Sequence, residues 1–414
     1  MYSSNRSKVK VWALSVGMLL GACEGTVGSE DGVDEESVQP ESEVGEKQQA
    51  AVLATNGLRV TNGLRVTNGL RVTNGLRVTN GLSPTVGLMT STEGRETVKY
   101  LVRCALRADQ TLVKTDQNGV SYSFKGAIGI APEWLDNACE RDCQEAVSAC
   151  LLAHVNTTGQ NISLWMTSSV PSIGWGQSTD HPYQEGSFFG NLFLDQPQAF
   201  YCNGADFDQG VVPGRLGATQ AGAPYVNPFA SNGGDCKSTC TPQDIPNQND
   251  GYKACYGFNR VVTVWRNFEP TASYKICNRA TGKCLGAAST LNGAAAEQVS
   301  YNGATAQKWS IVQVKPKQYK VVNLASGRAL SVYQKLIAEQ TAIVQSTFAG
   351  GTDQLWSFTP LSATNTGFHQ VAPALISTSA LSLPNPSATA EGQDLIHRKW
   401  NFGNYMQWSI ALAN

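Results

Sequence analysis

Few side chains in this sequence are suited to catalysis, and the scarcest is histidine, with four in 414 residues. Asp180-His181 stands beside Tyr183 and Glu185, just before the run Gly186 to Asn191. A carboxylate can orient an imidazole as a general base, but no nucleophile can be assigned to complete the set. Asp206 and Asp208, within Gly-Ala-Asp-Phe-Asp-Gln-Gly, would point the same way along an extended chain. They could then act as paired carboxylates or hold calcium, while the plainer reading is a solvated turn. His154 ends a predicted helix, where a cation favours the helix dipole. The chain lacks a Gly-x-Ser-x-Gly elbow, a His-Glu-x-x-His helix, a phosphate loop and a dinucleotide fingerprint. No catalytic residue, cofactor or metal is assigned on these grounds, and a non-enzymatic role is preferred.

Sulfur is more plentiful, with 11 Cys. Cys139, Cys143 and Cys150 fall on one face of a helix predicted over 133–154, and Cys236 and Cys240 repeat the spacing of four in a polar loop. Thiolates so placed could hold zinc. In an exported chain they pair as disulfides instead, because an oxidising compartment joins thiols before metal reaches them. Eight cysteines between Cys104 and Cys255 allow about 105 pairings, so spacing alone selects none.

Several elements must position these groups. A helix is predicted over 95–108, from Val98, Leu101, Val102, Ala105 and Leu106, with Thr90 and Glu93 as a capping box. The segment 120–130 reads as strand, and short apolar runs from Asn156 onward end in the β-branched run Val261 to Trp265. Together, residues 83–269 are expected to form an α+β domain stapled by cystines. Upstream, Arg6, Lys8 and Lys10 precede an apolar run, Val11 to Ala22, that is too short for a mature membrane span and reads as a signal peptide over 1–22. Leu20-Gly21-Ala22-Cys23 resembles the lipobox of bacterial lipoproteins. That likeness implies lipidation of Cys23, a membrane partner through the anchor, and an envelope location, with the outer membrane favoured by Glu24. Residues 23–54 are acidic and poor in apolar side chains, as a solvated tether would be. Thr-Asn-Gly-Leu-Arg-Val then recurs from Thr55 over 55–82. That repeat reads as a stalk, with a small β-solenoid or added strands as the alternative. Only 15% of residues are charged and the net charge is −1, so no nucleic-acid partner is expected.

Internal repetition dominates the last third. Tyr274 to Leu285 aligns without gaps with Tyr319 to Leu330, and a fainter copy ends at Ala380-Leu381. Each unit closes on Trp: Gln307-Lys308-Trp309, Gln354-Leu355-Trp356 and Met406-Gln407-Trp408. Cys277 and Cys284 stand where the second unit has Val322 and Ala329, so they are expected to face each other across a hairpin as a disulfide. Trp309, Trp356 and Trp408 read as core, with Gln307 and Gln354 satisfying backbone groups near the threefold axis.

Three Gln-x-Trp-type closures at this spacing resemble the ricin-type β-trefoil lectin family, over residues 270–414. The resemblance implies a pseudo-threefold barrel of twelve strands whose pockets bind sugar hydroxyls with a carboxylate and stack an aromatic ring on the sugar face. Where the family commonly has Asp after the Leu, this chain has Gly286, Ser331 and Ser382. Before the closing Gln, where Asn is frequent, it has Ala306 and Asp353, and in the third unit Tyr405 stands before Met406. The candidate sugar-binding residues are therefore Tyr301 and Asn302, Phe348 and Asp353, and Trp400 and Asn404, with Asp353 foremost. The expected fold is mainly β, with a trefoil following a disulfide-rich α+β domain and a disordered or repetitive N-terminal tether. The expected function is carbohydrate binding by an envelope lipoprotein. The alternatives are a hydrolase targeted to polysaccharide by its trefoil, and a structural surface protein with a degenerate lectin module.

Overall fold

The computed structural model describes residues 52–56, 58–59, 76, 82–85, 87–156, 162–195, 197–213, 235–243, 250–361 and 367–413. The signal segment, Cys23, the tether up to residue 51 and most of the hexapeptide copies lie outside the described residues. Those described belong to one compact unit, Lys47–Asn414. No helix among them is long and apolar enough to cross a membrane.

The middle region is built on an antiparallel sheet of β1 (Val52–Asn56), β2 (Ile162–Ser168), β3 (Tyr183–Asn191), β4 (Gln198–Asn203) and β5 (Val262–Arg266), in the order β1-β2-β5-β3-β4. Two helices, α1 (Thr92–Ala105) and α2 (Arg141–Ala153), share a core with this sheet. The α1 cap is Ser91, whose Oγ accepts from Gly94 N at 3.0 Å, rather than Thr90. A hydroxyl one residue later fits because a preceding 3-10 turn, Leu88–Thr90, turns the Thr90 hydroxyl back onto the Gly87 carbonyl. The helix predicted over 133–154 divides into a 3-10 turn, Pro132–Leu135, and α2. Cys139 therefore stands outside α2. The strand expected over 120–130 is shorter, Ser121–Lys125, and forms a hairpin with Thr111–Thr115.

The hexapeptide segment joins this domain at its described positions. β1 starts upstream of the first copy and runs into it, pairing Thr55 with Ser163 and Asn56 with Ile162. The Leu of two later copies, Leu76 and Leu82, is fully buried in the shared core, and Leu76 N donates to Trp134 O at 2.8 Å. A stalk standing clear of the domain does not describe these residues. A repeated Leu gains by burial what a solvated strand would forgo.

The trefoil contributes four principal strands per unit. The first unit has β6 (Tyr274–Asn278), β7 (Cys284–Ala287), β8 (Ala296–Val299) and β9 (Trp309–Lys315). The second has β10 (Gln318–Asn323), β11 (Ala329–Val332), β12 (Ile343–Ser346) and β13 (Trp356–Pro360). The third has β14 (Phe368–Pro373), β15 (Ser379–Ser382), β16 (Ile396–Lys399) and β17 (Gln407–Leu412). Trp309, Trp356 and Trp408 are fully buried, and their indole nitrogens donate to the carbonyls of Leu285, Leu330 and Leu381 at 2.9, 2.9 and 2.8 Å. Each Trp also pairs in register with the first strand of its own unit, at Tyr274, Tyr319 or His369. On its other side it pairs with the next unit, at Asn323, Pro373 or, closing the ring, Asn278. One set of contacts is thus repeated three times. The Cys277–Cys284 disulfide spans the same hairpin register as Val322 and Ala329.

One end of the barrel is filled from outside the repeat. Phe268 packs against Tyr274, Tyr319 and Phe358 with ring centroids 5.1–5.4 Å away, and Tyr183 packs against Phe268 and His369. The middle region therefore supplies part of the trefoil core.

Candidate functional site

The groups that looked catalytic in the sequence are taken up by structure. Asp180 Oδ1 accepts from Gln313 Nε2 at 2.9 Å, which ties the middle region to the trefoil. Tyr183 is buried in the barrel end, and Glu185 pairs with the buried Arg266 at 3.4 Å. His181 lies between two hydroxyls, Ser163 Oγ at 2.8 Å and Ser178 Oγ at 3.3 Å. Ser178 Oγ also accepts from the backbone N–H groups of Asp180 and His181, so the loop is held to the same hydroxyl. Asp206 and Asp208 do not converge: Asp206 accepts from Gln184 N at 2.7 Å and Asp208 from Asn203 Nδ2 at 2.9 Å. His154 is the C-cap of α2 as expected and is buried, and its Nδ1 lies 2.8 Å from the Cys150 carbonyl.

The middle cysteines pair as Cys104–Cys150, Cys139–Cys143, Cys202–Cys236 and Cys240–Cys255. The three sulfurs expected on one helix face thus go to two separate bridges. With Cys139 outside α2, the helical spacing that aligned it with Cys143 and Cys150 no longer applies.

Within the trefoil, Gln307 and Gln354 do not reach the axis. Gln307 accepts from Asn302 N at 2.8 Å and donates to Ser300 O at 2.7 Å. Gln354 treats its own loop likewise, accepting from Ala349 N at 2.6 Å and donating to Thr347 O at 2.8 Å. These amides clamp the loops that carry the candidate ligand groups. Bonds between units include those of Gln298, which donates to Ala388 O at 2.7 Å, of Gln345, which donates to Ser289 O, and of His397, whose Nε2 lies 3.3 Å from Leu336 O. Aligning 296–299 with 343–346 would have exposed this pair of glutamines in the sequence.

The first unit holds a concave pocket of about 410 Å³. Tyr301 and Asn302 line it on the clamped loop, with Gly286 on its floor. A Cβ at Gly286 would meet Val299 Cγ2 at 2.8 Å, so a side chain there would require Val299 to shift. The carboxylates arrive by other routes. Glu297 is the direct cross-strand partner of Gly286, and Glu391 reaches in from the third unit. Glu391 is held by Lys283 Nζ at 2.6 Å and by Ser300, and these bonds bring its carboxyl down to about 2. Burial, followed by the nearby Asp394 and Glu391 charges, pushes the Glu297 carboxyl up. Sequence reasoning missed both acids, since neither occupies the family's position.

The other two units depart from this arrangement. Phe348 has Lys320 Nζ at 5.3 Å from its ring centre. Asp353 is almost fully buried, with Lys335 Nζ 3.7 Å from an Oδ1 that accepts no hydrogen bond among the described residues. The cross-strand partners of Ser331 and Ser382 are Val344 and Ile396, both apolar in type. In the third unit Trp400 sits 5.3 Å from Phe402, a ring 73% exposed on a residue with φ of 65°. The amide that matches Asn302 is Asn401, whose Oδ1 accepts from Gly403 N as Asn302 Oδ1 accepts from Ala304 N. Asn404 is exposed and lies instead on the 3-10 turn Asn404–Met406, three residues past the matching place.

Four principal strands repeated in three equivalent units, each closed by a buried Trp, make this region a β-trefoil. More specifically, residues 263–398 form a ricin-type lectin-like domain: the family model described as "Ricin-type beta-trefoil lectin domain-like" matches residues 263–346 and 305–398. A designed threefold-symmetric protein, ThreeFoil, is 30% identical over 34% of this chain and 97% of its own, with a TM-score of 0.32. The Rhizoctonia solani agglutinin is 20% identical over 35% and 96%, with a TM-score of 0.31. A Macrolepiota procera ricin B-like lectin, solved in complex with lactose, is 17% identical over 35% and 98%, with a TM-score of 0.31. A search of curated proteins gave no significant match.

Proposed function

We propose that this chain binds carbohydrate through the first-unit pocket of its trefoil, as part of a lipid-anchored envelope protein. One observation carries the binding reading: Tyr301, Asn302 and two carboxylates, Glu297 and Glu391, line a single concavity on a loop fixed by Gln307. An aromatic face matches the apolar C–H face of a pyranose, and carboxylates accept its hydroxyl hydrogens in charge-assisted bonds. The second and third units lack this combination, with Val344 and Ile396 in the place of Glu297. A glycan array probed with the full chain tests the reading. Retention of at least one glycan, lost on Tyr301→Ala with an unchanged melting temperature, is expected. Absence of retention, or retention that ignores Tyr301, would overturn it.

The anchor rests on the segment ending Leu20-Gly21-Ala22-Cys23. Two or more acyl chains would hold a protein stably at a bilayer, where one chain gives only marginal binding. Metabolic labelling with palmitate in a Gram-negative host is expected to mark the chain, and Cys23→Ser to abolish the label and release the protein from the membrane fraction. Label that survives in Cys23→Ser would end the lipoprotein reading without touching the lectin one.

A further inference from the structure

The substrate class of this same pocket can be narrowed, on the basis of the carbohydrate reading above. Glu297 lies between two strands and faces Gly286 on one side and Asp394 on the other. Carboxylates directly opposite each other across a ladder repel, and a fold tolerates such a pair where function requires it. The charged groups around Glu297 are Glu391 and Asp394, with Lys283 salt-bridged to Glu391 and Lys275 Nζ 4.9 Å from the Tyr301 ring centre. Of the two carboxylates that line the pocket, Glu391 is paired with Lys283, and among the described residues no cation is paired with Glu297, which leaves negative charge over beside an aromatic wall. In the other two units Val344 and Ile396 occupy the place of Glu297, so neither carries a carboxylate at that position.

We propose that the first-unit pocket selects a sugar bearing a free, protonated amine, with Glu297 as the specificity-determining carboxylate that receives the ammonium. Tyr301 and Asn302 then bind the ring face and hydroxyls as they would for any pyranose. Glu391, already engaged by Lys283 and Ser300, frames the site. A neutral sugar would find the same hydroxyl acceptors without relieving the repulsion between Glu297 and Asp394.

Calorimetry of the full chain at mildly acidic pH, with three trimers as probes, tests this. The probes are a glucosamine trimer, its fully N-acetylated counterpart and the glucose trimer cellotriose. The glucosamine trimer should bind at least tenfold more tightly than the other two. Glu297→Val, which installs the residue type of the second unit, should remove that preference while keeping the melting temperature. Added salt should weaken the preference in the unaltered chain, a readout independent of any variant. Equal binding of all three trimers, or preference for a neutral one, would overturn the proposal and leave the carbohydrate reading standing. Binding that requires calcium and is lost on chelation would also overturn it, since the carboxylates would then hold a divalent cation. Failure to bind any trimer, with an empty glycan array, would remove both.

Discussion

The first and second units of the trefoil share a backbone and differ in what that backbone presents. Both bury a Trp against the carbonyl of a Leu, both clamp a loop with a Gln, and both set an aromatic ring on that loop. Yet the first places Glu297 opposite an empty Gly286, whereas the second places Val344 opposite Ser331, whose hydroxyl is 2.6 Å from that of Ser346. Positions that hold the fold together are the same in both, and positions that face solvent or ligand have changed. The contrast separates two demands on one sequence. A Leu–Trp–Gln frame cannot vary without cost, while the cross-strand pair beside it is Gly with Glu in one unit and Ser with Val in the next.

The strongest test of this division removes the frame. Trp309→Ala and Trp356→Ala should each destabilise the trefoil by about 3–5 kcal/mol, because each deletes a fully buried indole and orphans a Leu carbonyl. Equal losses in thermal denaturation would sustain the equivalence of the units, and a loss confined to one would break it. The next test uses the third unit, where His369 replaces Tyr274 and Tyr319. Burial lowers its pKa to about 4 from 6.5. The unfolded chain takes up a proton below about 6.5 that the native state refuses until about 4, so stability falls as pH drops through that window, by about 3 kcal/mol in all. His369→Phe should flatten that acid limb of the stability profile, measured by urea denaturation at a series of pH values. A limb that persists would place the titrating group elsewhere.

The frame was legible in the sequence because it repeats. Leu285, Leu330 and Leu381 precede their Trp by nearly constant intervals, and a motif found three times fixes both fold and phase. The pocket was not legible for the opposite reason. Glu297 matters through its register with Gly286, which depends on the eight-residue connection between β7 and β8, and Glu391 comes from another unit more than ninety residues away. Asp353 looked the best sugar ligand by position, but the fold buries it beside Lys335. In the middle region the cysteine count pointed to disulfides, and the pairings emerged only with the fold. Asp180 and Tyr183 stood out as polar groups near a His. They are instead contacts with a barrel whose packing partners no local pattern reveals.

Two smaller effects sharpen the comparison further. Restoring the family's acid by Gly286→Asp should cost about 1–3 kcal/mol from overpacking, since the new Cβ meets Val299 Cγ2 at 2.8 Å. Adding Val299→Ala should recover most of that loss, and failure to do so would mean that repulsion from Glu297, not volume, keeps the position empty. The smallest effect concerns the one covalent difference between the units. The Cys277–Cys284 bridge closes a short loop, for which chain entropy gives about 2 kcal/mol. The second unit holds the same register with Val322 and Ala329 alone. Replacing the bridge by Cys277→Val with Cys284→Ala should therefore restore a packed pair and lower stability by only about 1 kcal/mol. Calorimetric melting of the doubly substituted chain checks this. Collapse of the trefoil on losing the bridge would show that the first unit, carrying the repelling Glu297 and Asp394, depends on a staple that the second does without.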